Sequence, residues 1–220
     1  MKRSNILAHR GLWTHSEEKN RLGALISALE FGFGVETDVR DLNGTLVVAH
    51  DPPRQNNSML YLSDLLEAAA PTINTQRLAL NIKADGLAGM VKEIVEQWFG
   101  ANTVNCFVFD MSVPDSLNYL HSDLDCYSRA SEYEHEPCNL DRALGVWVDN
   151  FTGDYDQINA CEKFLALGKR VTCVSPELHG REHWPVWEDL ILSGVSSADG
   201  FELCTDFPME AYEYFGGLCD

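Results

Sequence analysis

Short runs of apolar and β-branched residues alternate along the chain with stretches whose apolar positions recur near every 3.6 residues. The first kind predicts strands at 6–10, 33–39, 78–83, 105–110, 125–129, 145–149, 170–175 and 200–205. The second predicts amphipathic helices. Leu22, Leu25, Ile26 and Leu29 share one face, and so do Leu62, Leu65, Leu66 and Ala69, with Ser63 as the expected N-cap. Met90, Val91, Ile94, Val95 and Trp98 form a third stripe, and Ile158, Cys161, Phe164 and Leu165 a fourth. A further strand pair, 39–41 and 45–49, flanks Leu42-Asn43-Gly44, whose Asn-Gly step is a tight-turn signal. Strands regularly separated by helices call for a parallel sheet. Eight of them predict a (β/α)8 (TIM) barrel of the α/β class, one domain over 1–220, with an open doubly wound sheet as the alternative. The crossover at 131–139, with Glu132, Glu134, His135, Glu136 and Pro137, reads as loop.

Composition narrows the picture. Hydrophobic residues make up 45% of the 220, enough for a core. No run approaches the ~20 apolar residues of a membrane span, so stable membrane insertion is not expected. Lys2 and Arg3 lead straight into Ile6-Leu7-Ala8-His9, too short for a signal-peptide core, and a cytoplasmic protein is expected. The seven cysteines (Cys106, Cys126, Cys138, Cys161, Cys173, Cys204 and Cys219) contain no Cys-x-x-Cys pair and read as buried, reduced thiols. A net charge of −18 repels nucleic acid. It also repels phosphate esters unless a cation is held in the site.

In a (β/α)8 barrel the chemistry sits at the C-terminal ends of the strands, and here nearly every strand ends in polar residues. These are His9-Arg10, Glu36-x-Asp38, His50-Asp51 after the hairpin, Asn81-x-Lys83, Asp110, Arg129, Asp149, Glu177, and Glu202 with Asp206. Charges on buried strands are costly unless paired or bound to an ion. Glu36 and Asp38 point to one face, and two carboxylates so placed either share a hard divalent cation or pair with Arg40 or Arg10. His9 and His50 are either structural or an acid–base pair. Lys83 either binds a phosphate oxygen or forms a salt bridge to Glu36, Asp38 or Asp110. Arg10 and Arg129 offer forked phosphate contacts.

Taken together, His9-Arg10-Gly11, Glu36-Thr37-Asp38, the turn at Gly44 and His50-Asp51 resemble the glycerophosphodiester phosphodiesterase family, within the phosphatidylinositol-phospholipase-C-like group. Asn81-Ile82-Lys83, Phe109-Asp110 and Thr205-Asp206-Phe207-Pro208 extend the likeness more weakly. The resemblance implies a (β/α)8 barrel that hydrolyses a small phosphodiester with a divalent ion, Mg²⁺ or Ca²⁺. Carried over, Glu36 and Asp38 are metal ligands, His9 and His50 the acid–base pair, and Arg10 and Lys83 phosphate binders.

Two features depart from the family pattern. Asn81 stands where the family has a third metal-ligating Glu, which leaves an uncharged oxygen and makes Asp110, then Glu177, the candidates to complete the set. The segment after His50-Asp51 is short, so the site is expected to be open or capped by the loops at 131–139 and 177–187. Two other readings stand beside the hydrolase. One is a barrel that binds a phosphorylated ligand without turnover. The other is an amidohydrolase, whose first strand would end in His-x-His rather than His9-Arg10-Gly11.

Overall fold

A computed structural model describes residues 1–54, 59–72, 76–100, 105–122 and 124–216. The chain alternates between strand and helix: β1 (Ile6–His9), α1 (Leu22–Glu30), β2 (Gly34–Leu42), β3 (Thr45–Val48), α2 (Leu62–Ala69), β4 (Leu78–Ile82), α3 (Ala88–Phe99) and β5 (Cys106–Phe109). It continues with α4 (Val113–Leu120), β6 (Asp125–Ala130), β7 (Gly145–Val148), α5 (Gln157–Ala166), β8 (Arg170–Val174), α6 (Trp184–Leu192), β9 (Phe201–Thr205) and α7 (Pro208–Gly216). Eight parallel strands close into a barrel because β1 pairs with β2 on one side and with β9 on the other. That closure rules out the open sheet. β3 is the antiparallel return of β2, joined through Asn43 and Gly44, both at positive φ as a tight turn between twisted strands requires. No helix separates β6 from β7, in keeping with the loop expected there.

Alternation along each strand divides the protein into two cores. Outward residues such as Ile6, Ala8, Val35, Leu78, Leu80, Val146 and Leu203 pack against the helices. Inward residues Leu7, Ala79, Phe107, Phe109, Tyr127, Trp147, Val174 and Cys204 fill the barrel. Phe107 stacks on Tyr127 and Phe109 on Trp147, with centroids 3.9 and 3.8 Å apart. Below them lies a polar floor. Glu202 accepts from Thr172 Oγ1 at 2.9 Å and pairs with Arg77 Nε at 3.0 Å and Arg170 Nη2 at 2.6 Å. Arg77 and Arg170 also donate to the Tyr127 hydroxyl. Glu202 therefore does not belong at the mouth, where its strand-end reading put it. It is the second residue of β9 and sits at that strand's N-terminal end.

The four apolar stripes fall on α1, α2, α3 and α5. Ser63 is not a cap. Tyr61 forms an isolated bridge with Val47 and holds the N-cap position in extended geometry, so the helix starts one residue before Ser63. The loop expected at 177–187 is likewise shorter than read. A 3-10 turn occupies Pro176–His179, and α6 begins at Trp184 with Pro185 in its first turn. Among the described residues six cysteines are free. Five are buried, and burial pushes the Cys106 and Cys126 thiols up to about 12, so they stay protonated. Cys138 departs from expectation and is exposed; Cys219 lies outside the described residues. Among the described residues no helix is long and apolar enough to cross a membrane.

Candidate active site

The mouth is organised by the turn after β1. Gly11 has φ +98°, and a Cβ there would lie 2.6 Å from the Ala24 carbonyl carbon, so only glycine lets the turn rest on α1. This close approach puts Arg10 in left-handed backbone (φ 59°) and sends its Nε to 2.8 Å from Asp38 Oδ2. Asn20, also left-handed, donates through Nδ2 to the same oxygen at 2.8 Å and accepts from Thr37 Oγ1. Of the five non-glycine residues with positive φ among those described, Arg10, Asn20 and Asp110 all lie here. Backbone strain of this kind concentrates where geometry is imposed by the surroundings.

Glu36, Asp38 and Asn81 meet on neighbouring strands, since Asp38 stands opposite Asn81 in the β2–β4 register. Asn81 Nδ2 donates to Glu36 Oε1 at 3.2 Å. All three side chains are buried, and Glu36 Oε2, Asp38 Oδ1 and Asn81 Oδ1 have no hydrogen-bond partner among the described residues. The basic groups facing these oxygens lie beyond hydrogen-bond reach: His9 Nε2 is 3.9 Å from Glu36 Oε2 and Lys83 Nζ is 3.6 Å from Asp38 Oδ1. Burial, then the charge of Asp38, raises the Glu36 carboxyl above its ordinary range. Three buried acceptors left without donors are costly, and a hard cation, which takes oxygen ligands, is one kind of group that would satisfy them. Among the described residues no group of three or more His, Cys, Asp or Glu side chains is arranged to hold a metal. The set here is two carboxylates and an amide.

His9 Nδ1 donates to Asp206 Oδ1 at 2.6 Å, and Asp206 Oδ2 accepts from Lys19 Nζ at 3.0 Å. Burial opposes ionisation of Asp206, but His9 and Lys19 hold its carboxyl below the usual range. Glu177, a reserve metal ligand in the sequence reading, is otherwise engaged. Its oxygens accept from Ser175, Thr205 and the backbone N–H of Asp206, fixing the segment that carries Asp206. His50 is half-exposed on the rim, with Nδ1 2.9 Å from Asp51.

Lys83 Nζ contacts Asp110 Oδ2 at 3.1 Å, and the other Asp110 oxygen accepts from Arg129 Nη1. Arg129 Nε donates to Glu134. Asp110 thus has both oxygens paired with cations. Arg129 lines a smaller pocket with Glu134 and Cys138 rather than the central cavity. That central cavity, of about 330 Å³, brings together His9, Arg10, Glu36, His50, Asn81, Lys83 and Asp110. It also includes Asp149, read from the sequence as a polar strand end, and three residues that sequence analysis did not single out: Lys19, Phe151 and His179. Nothing in the sequence pairs Asp149 with His179, which lies 30 residues further on. Lys19 and Asn20 carried no motif.

No family model matches the chain, and no curated protein matches it in sequence. Among solved structures, the chain superposes over its full length on a glycerophosphodiester phosphodiesterase from Parabacteroides distasonis, at TM-score 0.75 and 17% identity, covering 99% of that chain. It also matches a phosphodiesterase from Oleispira antarctica, solved with its product sn-glycerol-3-phosphate, at TM-score 0.66 and 16% identity over 96% of each chain. A third match is a Ca²⁺-dependent phosphatidylinositol-specific phospholipase C from Streptomyces antibioticus, at TM-score 0.60 and 10% identity, covering 94% of this chain and 95% of that one. The chain has the (β/α)8 fold shared by these phosphodiesterases, in a divergent sequence.

Proposed function

We propose that this chain is a divergent member of the glycerophosphodiester phosphodiesterase group that hydrolyses a small phosphodiester with a divalent ion. The observation that carries this reading is the trio of buried, unpartnered oxygens on Glu36, Asp38 and Asn81 beside two histidine–carboxylate pairs and two basic side chains. Mg²⁺ or Ca²⁺ held there by Glu36, Asp38 and Asn81 would polarise a phosphoryl oxygen. Arg10 and Lys83 bind the phosphate's remaining charge, and their pairing with Asp38 and Asp110 keeps both in place. Asp110 acts here as the anchor of Lys83, and Arg129 as the anchor of Asp110.

His9 is the better base. Asp206 holds its Nδ1–H, which leaves the Nε2 lone pair directed to the Glu36 side of the cavity. Nε2 takes the proton of an attacking water as the new P–O bond forms. His50, on the rim, returns a proton to the alkoxide as the ester P–O bond breaks. The natural alcohol is a glycerol or a related small group, in line with the product named for the Oleispira antarctica enzyme.

The test is an assay of the purified protein on bis(p-nitrophenyl) phosphate and glycerophosphocholine with EDTA, Mg²⁺, Mn²⁺ or Ca²⁺, beside His9→Ala and Glu36→Ala. Turnover abolished by EDTA and cut at least about 100-fold by either substitution is the expected result. One observation favours the non-turnover reading: Asn81 brings no charge and Asp110 is already paired. Binding of a phosphate ester with no turnover under any ion would establish that reading instead.

A further inference from the structure

The central cavity is chemically two-sided. Arg10, Lys19 and Lys83 line it from the turn after β1 and the end of β4, whereas Asp149, Phe151 and His179 line it from beyond β7 and β8. The second wall is built, not incidental. Asp149 Oδ1 accepts from His179 Nε2 at 2.7 Å and from the Asn150 backbone N–H at 2.8 Å, and its side chain is nine-tenths buried. The His179 ring packs against Phe151 at 4.9 Å. Phe151 is held in turn by Glu132, whose carboxylate accepts the backbone N–H groups of Phe151 and Thr152. Trp147 and Leu178 complete the apolar surround.

Hydrogen-bond accounting then fixes what this wall can recognise. With Nε2–H committed to Asp149, the neutral His179 ring presents Nδ1 as an acceptor. Asp149 Oδ2 has no hydrogen-bond partner among the described residues and is an acceptor too. Two acceptors and no free donor, set against aromatic rings, match an alcohol that carries hydrogen-bond donors. A plain alkyl group would leave both unpaired.

We infer that Asp149 and His179 are specificity-determining residues that select phosphodiesters whose alcohol bears a hydroxyl or ammonium donor. This rests on the diesterase reading and deepens it. It assigns the phosphate to the basic wall and the alcohol to the Asp149–His179 wall. The two donor types share one chemistry and differ in charge. Ammonium gains from the carboxylate's full charge, whereas hydroxyl needs only an acceptor.

The experiment compares kcat/KM for ethyl, 2-aminoethyl and 2,3-dihydroxypropyl p-nitrophenyl phosphate, using wild type, Asp149→Asn and His179→Ala with saturating divalent ion. The wild type is expected to favour at least one donor-bearing ester over the ethyl ester by about tenfold or more, and His179→Ala to bring that ratio toward one. Asp149→Asn, which keeps an acceptor but removes the charge, separates the sources. It erases an ammonium preference and spares a hydroxyl preference. Equal use of all three esters by the wild type, or ratios unmoved in both variants, overturns the inference. If no ester turns over, the diesterase reading has failed. The same comparison then runs by calorimetry on ethyl phosphate, O-phosphoethanolamine and glycerol 1-phosphate, and equal affinities sink the inference on its own terms.

Discussion

His9 and Asp206 stand 197 residues apart in the chain, yet Nδ1 of one lies 2.6 Å from Oδ1 of the other. β1 and β9 are neighbours in the closed barrel, and Ala8 is in register with Thr205, so the residues that follow them meet at the mouth. The contact orients the His9 ring, with Nδ1 turned to Asp206 and Nε2 to the cavity. Asp206→Asn should therefore lower kcat on bis(p-nitrophenyl) phosphate by roughly 10- to 100-fold, with KM nearly unchanged. Its pH–rate profile should shift in its acidic limb, the limb that a general base sets; a profile identical to wild type would count against a positioning role.

Asp206 also makes stability depend on pH in a definite direction. Its carboxyl is held below the unfolded value of about 3.9. A depressed acid contributes fully above the unfolded pKa and loses that contribution as pH falls through the folded one. Relative to Asp206→Asn, the wild type should keep its full advantage at pH 6 and lose it progressively below about pH 4. Thermal melts at pH 6, 4 and 3 read this directly.

Glu36 has the opposite sign. Its carboxyl is raised by burial and by Asp38, so ionising it costs stability once pH climbs above the unfolded value of about 4.3. Glu36→Gln should then melt higher than wild type at pH 8 without divalent ions. Adding Mg²⁺ or Ca²⁺ at about 100 times its Kd should raise the wild type by about 2.7 kcal/mol, or roughly 5–10 °C, and leave Glu36→Gln nearly still. An equal response from both proteins would place the ion elsewhere.

Asn81→Glu supplies a third charge at the proposed ion site and removes the Nδ2 donor that now bonds Glu36 at 3.2 Å. Without an ion, three crowded carboxylates should lower the melting temperature. With one, affinity should improve by about tenfold or more, close to 1.4 kcal/mol, in a calorimetric titration. Weaker ion binding by the variant would mean that Asn81 Oδ1 is not a ligand position.

The barrel floor offers a prediction that separates stability from chemistry. Glu202 is fully buried between Arg77 and Arg170. Glu202→Ala removes the buried carboxylate that both guanidiniums pair with and should cost about 3–5 kcal/mol in denaturant unfolding. Divalent-ion affinity, set at the far end of the strands, should stay within about twofold of wild type.

Much of this architecture was legible because buried parallel strands read as apolar runs with polar ends, and all eight runs became barrel strands. The β2–β3 turn was legible from Asn43-Gly44 alone. Helix signals were patchier. α6 hides its face behind Trp184-Pro185, and Ser63 looks like a cap only until Tyr61 is seen bridging Val47. Glu202 was misplaced because a charge near a strand end gives no hint of which end it occupies. The site's first fifty residues carried a spaced motif. Its pairings did not: Asp206 meets His9 through barrel closure, Asp149 meets His179 and Arg129 meets Asp110 across neighbouring strands, and local sequence holds no trace of them.

The floor beneath the stacked rings has one more consequence. With Glu202, Arg77, Arg170 and Tyr127 locked together at one end of the barrel, and the stacked rings above them, the cavity is shut on that side. Among the described residues the barrel axis offers no through-passage, so reactant and product both use the strand-end face. A spent fragment that lingers there stands in the way of the next molecule.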